Sequence, residues 1–290
     1  MSEAYGAAVK LGIMQGRLVP PEPKRFQSFP RQRWREEFAL AAAAGLETIE
    51  WIYDAYGEDV NPLGTDAGVK EMAALSAAHR VGIESVCADW FMDLPVIRVD
   101  GAEALRRWQR LRWLMERCAK LSINRIILPF VDASSIQTSV DRQQVVSGIR
   151  TVTDLIDQLN IEIHLETSLA PAPFALLLSE IGHPRVKVNY DSGNSASLGF
   201  KPAAEFAQYG RYVGSVHIKD RRLNGGTVPL GEGDTDFIGL FSALAAVNYR
   251  GDFILQVARG IEGEELEWAR ENAKKARTLI SQLRTQKHND

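Results

Sequence analysis

Strand-like and helix-like segments alternate eight times along this chain of 290 residues. The strand-like runs are short and rich in β-branched and apolar residues, and an amphipathic helical pattern follows each of them. The predicted strands are 9–15, 47–53, 83–88, 125–130, 161–166, 186–191, 215–219 and 252–258. Eight consecutive strand–helix units in a chain of this length favour an α/β fold of one (β/α)₈ TIM barrel over an open doubly wound sheet.

The connections between these segments indicate which end of the barrel carries the function. The predicted helices are 34–44, 68–80, 103–121, 142–159, 173–181, 202–209, 236–247 and 262–283. Helix-to-strand turns are short and carry glycines near the helix ends, at Gly45, Gly82 and Gly210, as C-capping requires. Strand-to-helix loops are longer, and the functional loops of a barrel lie at the carboxyl ends of its strands. We predict one domain over 1–290, with a frayed tail at 284–290.

Charge and cysteine content exclude several classes of protein. The formal net charge is -3 and the basic residues are dispersed, so a nucleic-acid partner is not expected. Cys87 and Cys118 are the only cysteines, which is typical of a reducing compartment. No stretch approaches the roughly 20 apolar residues of a membrane span, and the N-terminus lacks a secretory-signal pattern. We therefore expect a cytoplasmic protein with no membrane partner.

Three consecutive strand-like segments each end in a potential metal ligand. IEIHLETS carries Glu166, VKVNYDSGN carries Asp191 and VGSVHIKD carries His217. The carboxyl ends of neighbouring parallel strands meet at one edge, so these side chains are predicted to converge. Two carboxylates and an imidazole suit one divalent cation such as Mn²⁺, Mg²⁺, Co²⁺ or Zn²⁺.

Strand alternation places further polar side chains inside the barrel. Glu162, His164 and Glu166 share one face of the fifth strand, and Lys187 shares a face with Asp191 on the sixth. Buried charges must be paired or ligated to persist, so we expect Lys187 to neutralise Glu162. His164 lies one pleat deeper than Glu166, which favours a core or orienting role over ligation.

The eighth strand contributes Gln256 where the other strands offer ligands. A glutamine side chain can coordinate a metal through its amide oxygen, but it cannot accept a proton at neutral pH. We therefore predict Gln256 as a fourth metal ligand, and we predict Glu166 and Gln256 as the two positions that decide the catalytic mechanism.

Four segments together resemble the xylose isomerase-like TIM-barrel superfamily: Glu166, the DSGN that starts at Asp191, the HIKD that starts at His217, and GEGDTDF at 231–237. Within it, the pattern is similar to sugar and sugar-phosphate isomerases and epimerases of the tagatose 3-epimerase type. The resemblance implies one metal ion, commonly Mn²⁺, held by Glu, Asp, His and a second Glu, with both glutamates moving protons. Glu166, Asp191 and His217 match the first three ligands, and Gln256 departs from the fourth.

The resemblance also implies a reaction. A small sugar, sugar phosphate or related polyol ketone would be isomerised or epimerised through a metal-stabilised enediolate, with Glu166 as general base. Because Gln256 is not an acid, one-base isomerisation or a dehydratase reaction is favoured over two-base epimerisation, unless Glu50, Asp89 or Lys219 supplies the other proton. A degenerate sugar-binding barrel is the third alternative. An endonuclease-like hydrolase is disfavoured, because too few histidines remain for a multi-zinc site. Relatives of this kind also imply a homo-oligomer.

Six residues near the predicted strand ends are candidates for substrate binding, although each has a structural alternative. The carboxylates could cap the following loops, the aromatic and histidine side chains could belong to the core, and the cations could form surface ion pairs. They are Glu50, Asp89, Trp90, His164, Lys219 and Arg259.

Overall fold

The computed structural model describes residues 9–285, and side chains as far as residue 281. Eight parallel strands close into a barrel in chain order, and the first strand pairs with both the second and the last. The predicted (β/α)₈ barrel is therefore confirmed. Its strands are β1 Leu11–Met14, β2 Thr48–Ile52, β3 Gly82–Cys87, β4 Arg125–Phe130, β5 Glu162–Thr167, β6 Val186–Asp191, β7 Val213–Ile218 and β8 Phe253–Leu255.

Helices surround the barrel, and a two-stranded antiparallel ladder, Asp220–Arg221 with Thr227–Val228, lies in the loop after β7. No described helix has the length and apolarity needed to cross a membrane. The helices are α1 Glu36–Ala43, α2 Asp66–His79, α3 Trp90–Asp93, α4 Gly101–Ala119, α5 Ser139–Arg150, α6 Thr153–Leu159, α7 Pro171–Ile181, α8 Ser192–Ser197, α9 Pro202–Tyr209, α10 Phe237–Ala246 and α11 Glu265–Thr285.

Polar residues before the helices satisfy the free backbone N–H groups of their first turns. Thr65 and Asp100 accept from the N–H groups of Gly68 and Glu103, at the starts of α2 and α4. Thr138 forms a reciprocal capping box with Asp141 at the start of α5. These caps lie next to the long loops, so they fix where each loop ends.

The predicted helix over 142–159 is wrong in one respect, because the chain forms two helices there. Between α5 and α6, Val152 leaves the helical region at φ -119 and ψ 0. Thr151 Oγ1 bonds to the carbonyl of Gly148 and Thr153 Oγ1 to that of Arg150, at 2.6 and 3.0 Å. Three successive β-branched residues weaken the helix at this point, and the hydroxyls of the two threonines also compete for backbone carbonyls.

Glycine capping holds at only one of the three predicted turns. Gly45 follows α1 with φ +72, the left-handed conformation that glycine tolerates best. After α2, Arg80 adopts that conformation at φ 54, and Gly82 already belongs to β3. Gly210 keeps a right-handed φ of -53 because a 3₁₀ turn follows it.

The core lies between the barrel and its helices, and Trp51 of β2 is its largest fully buried side chain. The rings of Phe29, Trp34 and Phe38 lie 5.8, 5.6 and 6.1 Å from the Trp51 ring, and its indole Nε1 donates to Asn61 Oδ1 at 3.1 Å. Of the predicted frayed tail, residues 284 and 285 end α11, and 286–290 lie outside the described residues.

Candidate metal centre and active-site cavity

The structure brings together three buried side chains at the carboxyl end of the barrel. Glu166, Asp191 and His217 lie on the adjacent strands β5, β6 and β7, and Asp191 is in register with His217. Each offers one ligand atom, and the three atoms lie within 4.8 Å of one another. Such a spacing suits three ligands of one ion.

Two asparagines hold the Glu166 carboxylate. Asn194 Nδ2 donates to Oε1 at 2.7 Å and Asn189 Nδ2 donates to Oε2 at 2.8 Å. Asn194 is itself placed by Asp191, whose Oδ1 accepts from the Asn194 backbone N–H at 2.8 Å and so starts α8. This short helix is not among the predicted elements, although an Asp N-cap three residues before that N–H is its signal.

The imidazole of His217 is held between two carboxylates. Its Nε2 lies 2.7 Å from Glu50 Oε1, and Ser85 Oγ donates to Glu50 Oε2 at 2.7 Å. Its Nδ1 lies 3.4 Å from Glu166 Oε2. Burial alone would lower the pKa of His217, but Glu50 and Glu166 raise that pKa well above its ordinary value. A ligating histidine must lose its proton, so cation binding here would release one.

A hydrogen-bonded column continues below the three residues toward the opposite end of the barrel. Ser215 Oγ donates to Asn189 Oδ1 at 2.6 Å and lies 2.7 Å from His164 Nδ1. His164 Nε2 lies 2.9 Å from Glu162 Oε2, and Lys187 Nζ lies 2.6 Å from Glu162 Oε1. The predicted pairing of Lys187 with Glu162 is confirmed. His164, with no exposed surface, belongs to this column.

A lysine lies between the three residues and the eighth strand. Lys219 Nζ donates to Asp191 Oδ2 and to Gln256 Oε1 at 3.2 Å each, and to Asn194 Oδ1 at 3.3 Å. Gln256 follows the last residue of β8, and its oxygen faces this ammonium group. Its Nε2 donates to Gln27 Oε1 at 3.1 Å. Ligation of a metal by Gln256 thus stays a prediction.

The donor set of Glu166, Asp191 and His217 fits a divalent cation. Metal-binding histidines usually donate their second ring N–H to a carboxylate, and Glu50 offers that acceptor at Nε2 of His217. The ring nitrogen on the other side then faces Glu166. With Lys219 beside Asp191, the cation would be held more weakly than by an all-acidic set.

A cavity of about 350 Å³ has Glu166 in its wall. Of the predicted substrate-binding residues, Asp89 and Lys219 line it, together with Glu166 and Gln256. Glu50, Trp90 and Arg259 are not among the lining residues. Glu50 is fully buried and contacts His217. Trp90 Nε1 donates to Glu58 at 2.7 Å, and Arg259 donates to the carbonyls of Phe26 and Val19. The remaining lining residues are Phe26, Gln27, Cys87, Met92, Pro129, Val131, Asp132, Ser168, Asn194, Ser197, Leu198 and Arg221.

Several residues of this site were missed by the sequence analysis. Asn189 and Asn194 hold Glu166, Gln27 reaches the cavity from the loop after β1, and Arg221 Nη1 donates to Asn194 Oδ1 at 2.9 Å. Strand alternation does place Asn189 on the inward face of β6 with Asp191, but it does not predict the contact of Asn189 with Glu166. Gln27 had no such signal, because an amide in a long loop has no periodic position.

We expect the substitution Lys219→Met to strengthen Mn²⁺ binding by about tenfold, because it removes a positive charge beside Asp191 in a partly buried site. Isothermal titration of the metal-free protein with Mn²⁺ measures the change. The exposed Lys201→Met is the matched control and should leave the affinity unchanged. Equal or weaker binding by Lys219→Met would show that the lysine does not oppose the cation.

A family model and several known proteins are similar to this chain. The family model described as the xylose isomerase-like TIM barrel matches residues 38–279. The Escherichia coli (strain K12) protein named "Putative L-ribulose-5-phosphate 3-epimerase SgbU" is 25% identical over 244 residues, which cover 77% of this chain and 83% of that protein.

Two solved structures share the fold at lower identity. A structure of L-ribulose 3-epimerase superposes with a TM-score of 0.78 at 16% identity and covers 97% of each chain. The IOLI protein, described with a binding zinc atom, superposes with a TM-score of 0.71 at 18% identity and covers 94% of this chain and 99% of its own.

Proposed function

Because this chain belongs to the xylose isomerase-like TIM-barrel family, we propose that it is an isomerase-class enzyme that epimerises or isomerises a small ketose or ketose phosphate with one divalent metal ion. The observation that carries the proposal is the convergence of Glu166, Asp191 and His217, with Glu166 in the wall of a cavity that has both polar and apolar lining residues. A volume of about 350 Å³ is in the range of small-molecule sites.

The names of similar proteins support the substrate class. The SgbU relative is named for L-ribulose 5-phosphate, and the L-ribulose 3-epimerase structure for the unphosphorylated ketose. Lys219 and Arg221 line the cavity and would attract substrate oxygens or a phosphate group. Mn²⁺ is the metal we propose for Glu166, Asp191 and His217, with Mg²⁺, Co²⁺ or Zn²⁺ as alternatives. The cytoplasmic location, the homo-oligomer and the absence of a nucleic-acid partner stay predictions.

The reaction begins with removal of a proton from the carbon next to a carbonyl group. A divalent ion bound by the three residues would supply the Lewis acidity that makes this proton removable. Glu166 accepts the proton, and its carboxylate is aimed by the amides of Asn189 and Asn194. The amides of Asn189 and Asn194 cannot accept a proton, so Glu166 is the base among these three side chains.

Exchange of substrate hydrogen with solvent tests this proposal. We expect the protein with Mn²⁺ to incorporate deuterium from D₂O into L-ribulose or L-ribulose 5-phosphate at a carbon next to the carbonyl, observed by NMR. Glu166→Gln should abolish the incorporation, whereas Glu84→Gln, at the other end of the barrel, should not. A wild-type protein that binds these ketoses without exchange would be a sugar-binding barrel and not an enzyme of this class.

A further inference from the structure

Epimerisation at a carbon next to a carbonyl needs proton transfer on both faces of a planar intermediate. Glu166 can serve one face under the proposed function, on which this inference rests. The family resemblance implies a second glutamate at position 256. Gln256 carries an amide there, which cannot act as a general acid or base at neutral pH. Another group must serve the opposite face if the enzyme inverts configuration.

Asp89 is a second buried carboxyl group in the wall of the same cavity. It follows the end of β3, whereas Glu166 lies on β5, so the strand β4 separates the points from which the two groups enter the cavity wall. Asp132 also lines the cavity, but it is exposed. Glu166 and Asp89 are therefore the two buried carboxyl groups among the described residues that line it.

A chain of amides connects Gln256 to Asp89. Gln256 Nε2 and Arg17 Nη2 both donate to Gln27 Oε1, at 3.1 and 2.9 Å. Because the Gln27 oxygen accepts these two hydrogen bonds, the nitrogen of the same amide faces Asp89. Gln27 Nε2 donates to Asp89 Oδ2 at 2.9 Å. The amide at position 256 thus orients a carboxyl group through Gln27, which a glutamate there could not do, because it has no N–H to donate.

The surroundings of Asp89 favour a proton-exchanging carboxyl group. Burial raises its pKa to about 6, although hydrogen bonds from Gln27 and from Cys87 Sγ, 3.1 Å from Oδ1, lower it. The other charged groups that face it are Asp54 after β2, Glu166 on β5 and Arg17 after β1. A carboxyl group with a pKa in this range can both give and take a proton near neutral pH.

The other two titratable candidates have different tasks. Glu50 has no exposed surface, and its oxygens accept from His217 and Ser85. Lys219 lines the cavity, but its ammonium donates to Asp191, Asn194 and Gln256. These three hydrogen bonds give Lys219 the task of holding the side chains of Asp191, Asn194 and Gln256 in place.

We propose that Asp89 is the second catalytic acid–base residue, which delivers a proton to the face opposite Glu166. The Glu166 carboxylate takes the proton from the substrate C–H bond, and the electron pair of that bond stays on the substrate as the enediolate. The Asp89 carboxyl group then gives its proton to the other face of the same carbon, which forms the inverted C–H bond and leaves a carboxylate. In the reverse direction the two residues exchange roles.

The substitution Asp89→Asn separates this role from the others. L-ribulose, L-ribulose 5-phosphate and D-psicose serve as probes, with Mn²⁺ in D₂O, and NMR follows deuterium incorporation and epimer formation separately. For the epimer that Glu166 deprotonates, we expect the rate of deuterium incorporation in Asp89→Asn to stay within about threefold of the wild-type rate. The rate of epimer formation should fall by at least about 10²-fold. Asp93→Asn, exposed at the end of α3, is the matched control and should retain both rates.

Four outcomes of this experiment have distinct meanings. Epimer formation by Asp89→Asn at the wild-type rate would overturn the inference, and so would equal loss of exchange and epimerisation, which would indicate a structural role. A wild-type protein that exchanges deuterium and forms only an aldose would also overturn it while sustaining the proposed function. A wild-type protein without exchange on any probe would overturn the proposed function and, with it, the role of Asp89.

Discussion

Replacement of Glu166 by glutamine is expected to lower turnover by roughly 10²–10⁴-fold, the usual contribution of a general base. The amide has nearly the shape of the carboxylate, so the side chain still fits its place, although only one of its contacts with Asn189 and Asn194 keeps an acceptor atom. The fold should therefore survive while the proton acceptor is lost. Initial rates of ketose interconversion, with circular dichroism as a check of folding, measure the effect.

The matched control for this variant is Glu84→Gln. Glu84 lies on β3 at the opposite end of the barrel, where it pairs with Lys10. It should retain the wild-type rate. If Glu166→Gln kept more than about a tenth of the wild-type turnover, the general base of this enzyme would be another group.

Replacement of Trp51 by alanine should lower the free energy of unfolding by about 3–5 kcal/mol, the usual cost of truncating a buried aromatic side chain. Trp51 has no exposed surface and touches three other aromatic rings, so a cavity would remain among them. The variant also leaves Asn61 Oδ1 without its indole donor. Urea unfolding followed by circular dichroism measures the loss.

The half-buried Trp113 offers a control for the removal of a tryptophan as such. It contacts the ring of Tyr53 at 5.6 Å, so Trp113→Ala should cost clearly less than Trp51→Ala. Equal losses in the two variants would mean that Trp51 has no special place in the core.

The barrel could be predicted because its signal repeats along the chain. Each strand-like run is followed by a helical pattern, and the boundaries of β4 and β6 agree with the predicted 125–130 and 186–191. The convergence of Glu166, Asp191 and His217 follows from the same logic, because parallel neighbours end at one edge of the sheet. Periodicity and strand direction are local properties, and a single sequence contains them.

Contacts between loops could not be predicted in this way. Gln27 touches Arg17, Asp89 and Gln256, which lie after three different strands. Lys219 turns its ammonium toward Gln256, a contact set by how two strand ends pack. Such contacts depend on the paths of long loops, for which the sequence has no periodic signal.

The division of the carboxyl groups among tasks also required the structure. Glu50 lies on β2, Asp89 follows β3 and Glu166 lies on β5. From the sequence alone, each of them was a candidate proton-transfer group. Glu50 is buried against His217 and orients its imidazole ring, whereas Asp89 and Glu166 line the cavity. Side-chain alternation places a residue on a face, but its hydrogen-bond partners decide its chemistry.

The binding of Mn²⁺ to protein prepared without chelators, compared between wild type and His217→Ala, tests the central claim most directly. We expect about one equivalent bound by the wild type, with affinity at least about 10²-fold lower in His217→Ala, because a ligand and its link to Glu50 are both lost. Undiminished binding by His217→Ala, or no binding by the wild type, would contradict a metal centre formed by Glu166, Asp191 and His217.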